Sequence, residues 1–127
     1  MNILVLEDDE FTRTLISHQL TEKGHKVYPA SNGNEAVDIV LDNPVDLVIC
    51  DLMVPLLSGV SFLSSREKFM SPDIPVIAIS SLKDAEAMLK DLLIDFGYFI
   101  AKPIDFEKLF KLISQCEQNR KVENEKQ

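Results

Sequence analysis

Hydrophobic residues fall in short blocks along this chain, and the blocks alternate between two periods. Ile3 to Leu6, Lys26 to Ala30, Leu47 to Cys50, Pro75 to Ile79 and Tyr98 to Ala101 are brief, mostly apolar runs bounded by turn residues. They have the length and continuity of strands buried on both faces. The segments between them carry apolar residues three and four apart, as helices with one buried face do. Glu10 to Lys23 predicts a first helix with Phe11, Leu15, Ile16 and Leu20 inward, stopped by Gly24. Ser31-Asn32-Gly33 supplies turn and capping residues for a second over Asn34 to Asp42, with Ala36, Val37, Val40 and Leu41 inward. A third is expected from Val60 to about Phe69. The fourth has the clearest periodicity, in Ala85, Met88, Leu89, Leu92 and Leu93, and Ser81 with Asp84 resembles its capping box. Asp105 caps a fifth, with Phe106, Leu109, Phe110 and Ile113 inward.

Five alternations of strand and helix predict an α/β fold: a doubly wound, five-stranded parallel sheet with five helices on its two faces. For a sheet of this size the flavodoxin-like strand order 2-1-3-4-5 is expected, with ligands binding outside the carboxyl ends of strands one and three. A single domain over residues 1–117 accounts for the pattern. Residues 118–127 are polar and read as a frayed helix end or the start of a linker.

Composition narrows the class. The 127 residues are 46% hydrophobic and 27% charged, ordinary for a globular domain, and no apolar run approaches a membrane span. The N-terminus has no basic region ahead of its apolar residues, so a cytoplasmic protein without membrane insertion is expected. The formal charge of −8 argues against direct nucleic-acid binding, which rewards clusters of lysine and arginine. Cys50 and Cys116 fit neither a metal nor a redox spacing and read as small apolar residues. His18 and His25 have no partner in a recognisable motif.

Charge becomes informative at the strand ends. Strand one runs into Glu7-Asp8-Asp9-Glu10, and strand three into Asp51, which Pro55 and Gly59 leave at the mouth of a loop. Strands four and five end in Ser80 and Lys102. Taken singly, Asp51 is as readily a loop aspartate, Ser80 is more often a capping or loop serine and Lys102 more often a surface lysine; the expected strand order brings them to one edge. Carboxylates about 5 Å apart repel by roughly 3 kcal/mol a pair at an effective dielectric near 20, so an acidic crevice calls for a cation. All-oxygen ligation favours a hard ion, Mg²⁺ or Mn²⁺, with room for a phosphate oxygen. Asp51 is then a candidate nucleophile toward a phosphoryl group, with Lys102 offsetting charge and the Ser80 hydroxyl donating a hydrogen bond.

The ordered set LVLEDDEFTR, DLMVPLLSG, PVIAISS and FIAKPI, spanning Asn2 to about Glu117, resembles the receiver domain of a two-component response regulator, of the chemotaxis-receiver kind. The resemblance implies that Asp51 is the phosphoacceptor and that Glu7 and Asp8 hold Mg²⁺, with Asp9 the alternative ligand; Arg13, in the usual place, decides the register. It further implies the main-chain carbonyl of Met53 as a ligand, Ser80 as the switch hydroxyl, Lys102 as the phosphate-contacting lysine, Phe99 as the aromatic switch and Pro103 as following a cis peptide bond. Ile94-Asp95-Phe96, Glu7, Val54 and Ser81 depart from the commoner pattern without removing a required group.

The function so implied is a phosphorylation-dependent signalling switch, taking its phosphoryl group from a histidine kinase or phosphotransfer protein and catalysing only its own modification. Its output would be a changed surface of helix four, strand five and helix five, including Ala87, Lys90, Tyr98 and Leu112, read by an effector or a second copy in a homodimer. Two rivals stand. An aspartyl-phosphate phosphohydrolase would need an acid where Met53 stands. A receiver-like interaction module working without phosphate is opposed by the retained acids, Ser80 and Lys102.

Overall fold

The computed structural model describes residues 1–52, 59–81 and 98–126, with the side chains of 59–60 and 121–126 left aside. The expected fourth helix, its capping partner Asp84, Met53, Val54, Pro55, Ala87, Lys90 and Ile94-Asp95-Phe96 lie outside the described residues. Strands β1 (Asn2–Leu6), β2 (Lys26–Ala30), β3 (Leu47–Asp51), β4 (Val76–Ser80) and β5 (Tyr98–Ala101) pair in parallel in the order β2-β1-β3-β4-β5. The flavodoxin-like order is therefore present, with its switch point between β1 and β3. Pro29, which cannot donate to a ladder, sits on the edge strand β2.

Alternate residues of the strands serve two cores. On one face Leu4, Leu6, Val48, Cys50 and Ala78 pack with Ala36, Phe62 and Leu63. These come from α2 (Gly33–Asp42) and α3 (Gly59–Ser64). On the other face Ile3, Val5, Leu47, Ile49, Ile77, Ile79 and Ile100 meet Ile16, Leu20, Leu109, Ile113 and Cys116. Those belong to α1 (Glu10–Glu22) and the C-terminal helix (Phe106–Lys126). A sheet covered on both sides is why β3 and β4 read as continuous apolar runs.

Caps set the helix starts. The Asp9 carboxylate accepts from Thr12 N at 2.9 Å, Asn32 Oδ1 from Glu35 N at 3.0 Å and Asp105 Oδ1 from Lys108 N at 3.3 Å. Gly24, at φ +90°, takes the left-handed conformation just past the end of α1.

Three expectations are corrected. Phe11 and Leu41 were expected inward but are 75% and 62% exposed. At 100° per residue each lies about 140° around its helix from a fully buried residue, Ile16 and Ala36 respectively. Ile39, closer to Ala36 in angle, packs inward instead. The third helix stops at Ser64 and gives way to a 3₁₀ turn over Arg66–Lys68. There Ser65 Oγ donates to Ser61 O at 2.8 Å and Arg66 Nη1 to Leu63 O at 2.6 Å, taking up carbonyls at the helix end.

The polar tail is helical to Lys126. It is tied down where Arg120 Nη1 meets Asp46 Oδ1 at 2.9 Å and where Asn119 Nδ2 donates to Tyr98 Oη at 3.1 Å.

Candidate functional site: an acidic crevice at the switch point

Backbone hydrogen bonds carry the ladder one residue beyond the strands and so fix the site. Glu7 N donates to Ala30 O at 3.0 Å, Leu52 N to Ile79 O at 3.1 Å and Lys102 N to Ser80 O at 2.9 Å. Glu7, Asp51 and Lys102 thereby project from the carboxyl edge of the sheet at the ends of β1, β3 and β5. The Lys102–Pro103 peptide bond is cis.

Glu7, Asp8 and Asp51 each offer a carboxylate oxygen, and these oxygens lie within 4.8 Å of one another. Asp8 is exposed, whereas Glu7 and Asp51 are 2% and 4% exposed. Lys102 Nζ reaches into the pair, 2.5 Å from Asp51 Oδ2 and 2.9 Å from Glu7 Oε1. Among the described residues, one ammonium thus bridges two of the three clustered carboxylates.

Burial and these bonds shift the titration of Glu7 and Lys102. Burial, and then the Asp51 carboxylate that would accept a hydrogen bond from a protonated Glu7, push Glu7 up to about 7, against the pull of Lys102. Burial lowers the Lys102 ammonium, but its bonds to Asp51 and Glu7 outweigh that and hold it above its ordinary value.

The other expected residues take distinct places. Ser80, at the end of β4, is 1% exposed, and its Oγ has no hydrogen-bond partner among the described residues. Phe99 is half-buried against the core face that holds Phe62. Tyr98 and Leu112 are partly buried against the opposite core. Asp9 stands apart from the cluster: its Oδ2 accepts from both Thr12 N and Thr12 Oγ1, the latter at 2.6 Å, and those bonds lower its carboxyl. Burial pushes the Cys50 thiol up, in keeping with an inert apolar role.

Sequence reasoning missed what Arg13 touches. Its Nη1 donates to Glu7 O at 2.9 Å and to Asp8 O at 3.3 Å, the backbone of the acids themselves. The cue was present, an arginine one turn inside a helix that follows an acidic strand end, but side-chain-to-carbonyl bonds have no sequence signature.

Cation fit can be judged from these groups. The donors are hard carboxylate oxygens, and the buried Glu7 Oε2 has no hydrogen-bond partner among the described residues. Such a set suits an ion of the Mg²⁺ class.

Together, fold and crevice define a flavodoxin-like α/β domain with a lysine-bridged acidic site at its topological switch point. Residues 3–114 match the response regulator receiver domain, and the chain belongs to that family, a signalling domain of two-component systems. It is 38% identical over 115 residues to response regulator RR06 of Streptococcus pneumoniae serotype 2 (strain D39 / NCTC 7466), covering 89% of this chain and 51% of that protein. A cyclic di-GMP phosphodiesterase of Thermotoga maritima (strain ATCC 43589 / DSM 3109 / JCM 10099 / NBRC 100826 / MSB8) is 32% identical over 94% of this chain and 32% of its own. The chain therefore spans about half or less of these relatives' lengths. Among solved structures, the receiver domain of Francisella response regulator 1452 superposes with a TM-score of 0.81 at 26% identity, covering 94% of this chain and 98% of that one. A response regulator receiver domain protein from Clostridium thermocellum does so with a TM-score of 0.84 at 26% identity, covering 95% and 97%. Among the described residues, no helix is long and apolar enough to cross a membrane.

Proposed function

We propose that this receiver domain works by accepting a phosphoryl group on Asp51 from a histidine kinase or phosphotransfer protein. The observation that carries the reading is the buried Asp51 carboxylate, bridged by Lys102 and gathered with Glu7 and Asp8 at the carboxyl edge. In the transfer an Asp51 oxygen attacks phosphorus, the bond from phosphorus to the donor's histidine nitrogen breaks, and an acyl phosphate forms. The nitrogen keeps the bonding pair and the histidine is regenerated.

Each neighbour has a task in that step. Glu7 and Asp8, with Asp51 itself, would hold a divalent cation of the Mg²⁺ class, which when bound offsets the charge of the phosphoryl oxygens. Lys102 gives up its bond to Asp51 and meets the incoming phosphoryl group as a mobile point charge. Ser80 holds a hydroxyl at the end of the adjacent strand, and donating it to a phosphoryl oxygen would give that buried group a partner. Drawing Ser80 inward would favour a more buried Phe99 on the neighbouring strand, altering the surface around β5 that an effector reads. The domain thus catalyses its own modification and passes on a change of shape.

Intact-mass measurement after incubation with Mg²⁺ and acetyl phosphate, or with a purified kinase, tests this. One phosphoryl adduct is expected on the wild type and none on Asp51→Asn. An unmodified wild type, or the same adduct on Asp51→Asn, refutes the assignment. Steady turnover of many phosphate esters would favour the phosphohydrolase instead.

A further inference from the structure

Three successive carbonyls of the acidic turn all accept from one residue. Arg13 Nη1 donates to Glu7 O at 2.9 Å and to Asp8 O at 3.3 Å, and Arg13 N donates to Asp9 O at 2.8 Å. The last is the opening bond of α1 and needs only a backbone. The first two need a guanidinium, whose planar fork presents donors in a fixed geometry. They fall on the two residues whose carboxylates cluster with Asp51.

Without such a brace this stretch would be loose. Glu7 N is fixed to Ala30 O, and Asp9 is fixed as the cap of α1 through Thr12. Asp8 lies between these two anchors, exposed, and has no regular secondary structure. The peptide planes on either side of it set where its carboxylate stands relative to Glu7 and Asp51. Arg13 accepts the task of holding those planes through their oxygens, and it brings a positive charge near a cluster of like charges.

We propose that Arg13 is a positioning residue for the cation site, holding the Glu7–Asp8 turn so that both carboxylates meet one ion with Asp51. The inference rests on the cation-dependent reading of the site given above. Groups that orient metal ligands typically change affinity 10- to 100-fold when removed. Arg13 grips main chain rather than the ligating groups, so the lower end applies, about tenfold.

The test is a Mg²⁺ titration of the full chain followed by backbone amide chemical shifts, for wild type, Arg13→Met, Arg13→Lys and Glu7→Gln. The same variants are then assayed for phosphorylation by acetyl phosphate across Mg²⁺ concentrations, and for thermal unfolding without metal. Arg13→Met should weaken Mg²⁺ binding about tenfold. It should raise the Mg²⁺ concentration for half-maximal phosphorylation by the same factor, and leave the rate at saturating Mg²⁺ within about twofold. Its metal-free unfolding temperature should stay near that of the wild type, which separates positioning from a general loss of fold. Lysine keeps the charge and loses the fork, so Arg13→Lys should fall between.

Wild-type affinity in Arg13→Met, with binding lost in Glu7→Gln, overturns the proposal and leaves the cation site standing. Wild-type affinity in Arg13→Lys alone assigns the effect to charge and overturns the bracing role. A wild type that binds no divalent cation overturns the cation reading, and this proposal with it. Were Arg13→Met not to fold, Arg13→Lys decides by the same criteria.

Discussion

Replacing Lys102 by glutamine removes the one ammonium that the described structure places between Glu7 and Asp51, at 2.9 and 2.5 Å. Gross attraction at those distances is about 6 kcal/mol per pair at an effective dielectric near 20, most of it offset by desolvation. Breaking a buried pair by removing one partner usually costs about 3–5 kcal/mol, because the other charge stays behind. Here two things reduce that figure. Lys102 is 34% exposed at its side chain, and Glu7 has an escape, since it already titrates at about 7. At pH 7.5 protonating Glu7 costs the folded state only about 0.7 kcal/mol, and the proton can then bridge to Asp51 in place of the ammonium. The expected loss in metal-free Lys102→Gln is therefore about 2 kcal/mol at pH 7.5, a fall in unfolding temperature on the order of 6–10 °C for a chain of this length.

Two further readouts come from the same reasoning. The loss should shrink to about 1 kcal/mol at pH 6, where Glu7 is protonated in both proteins, and widen above pH 8. Saturating Mg²⁺, which supplies the missing charge, should raise the unfolding temperature of Lys102→Gln by more than it raises that of the wild type. Differential scanning calorimetry at three pH values, with and without Mg²⁺, measures all of this. An unchanged unfolding temperature at pH 7.5, a gap that widens at pH 6, or an equal response to Mg²⁺ would refute the account.

Glu7 binds a proton more tightly folded than unfolded, so its contribution to metal-free stability is complete below about pH 4.5 and is lost as pH rises toward 7. Urea unfolding of wild type against Glu7→Gln should isolate that slope, and Mg²⁺, competing with the proton, should bind more tightly above pH 7 than at pH 6. Ser80→Ala removes a buried hydroxyl with no hydrogen-bond partner among the described residues, so metal-free stability should rise by about 1 kcal/mol while phosphorylation slows. Calorimetry and intact-mass kinetics read the two effects. Arg120→Ala breaks a pair whose side chains are 37% and 30% exposed, so it should cost no more than about 1 kcal/mol globally. Amide exchange over residues 117–126 should nevertheless quicken.

The order and type of the strands were legible because a sheet buried on both faces must be written in continuous apolar runs, and β3 and β4 are fully buried along their length. From that order alone Glu7, Asp8, Asp51, Ser80 and Lys102 come to one edge, since parallel strands present all their carboxyl ends together. Angular phase around a helix was less legible. Phe11 and Leu41 are apolar and sit near apolar neighbours, but burial requires the right sector as well as the right chemistry, and each misses it by more than a third of a turn. Ends of helices were harder still. The polar tail is anchored by Asp46 and Tyr98, residues 74 and 21 positions away from their partners Arg120 and Asn119.

The same contrast runs through the crevice. Which residue types gather there follows from topology, but how their charges are shared does not. That Lys102 bridges Glu7 and Asp51, that Asp9 is committed to Thr12, and that Arg13 grips carbonyls are facts of side-chain reach over a few ångströms. Asp8 and Asp9 show the point most directly. They are adjacent, identical in chemistry and both exposed, and a single helix cap separates their roles. The cap fixes Asp9 at the position just before α1 and leaves Asp8 for the cluster with Glu7 and Asp51. Division of labour in this acidic run is thus set by where α1 begins.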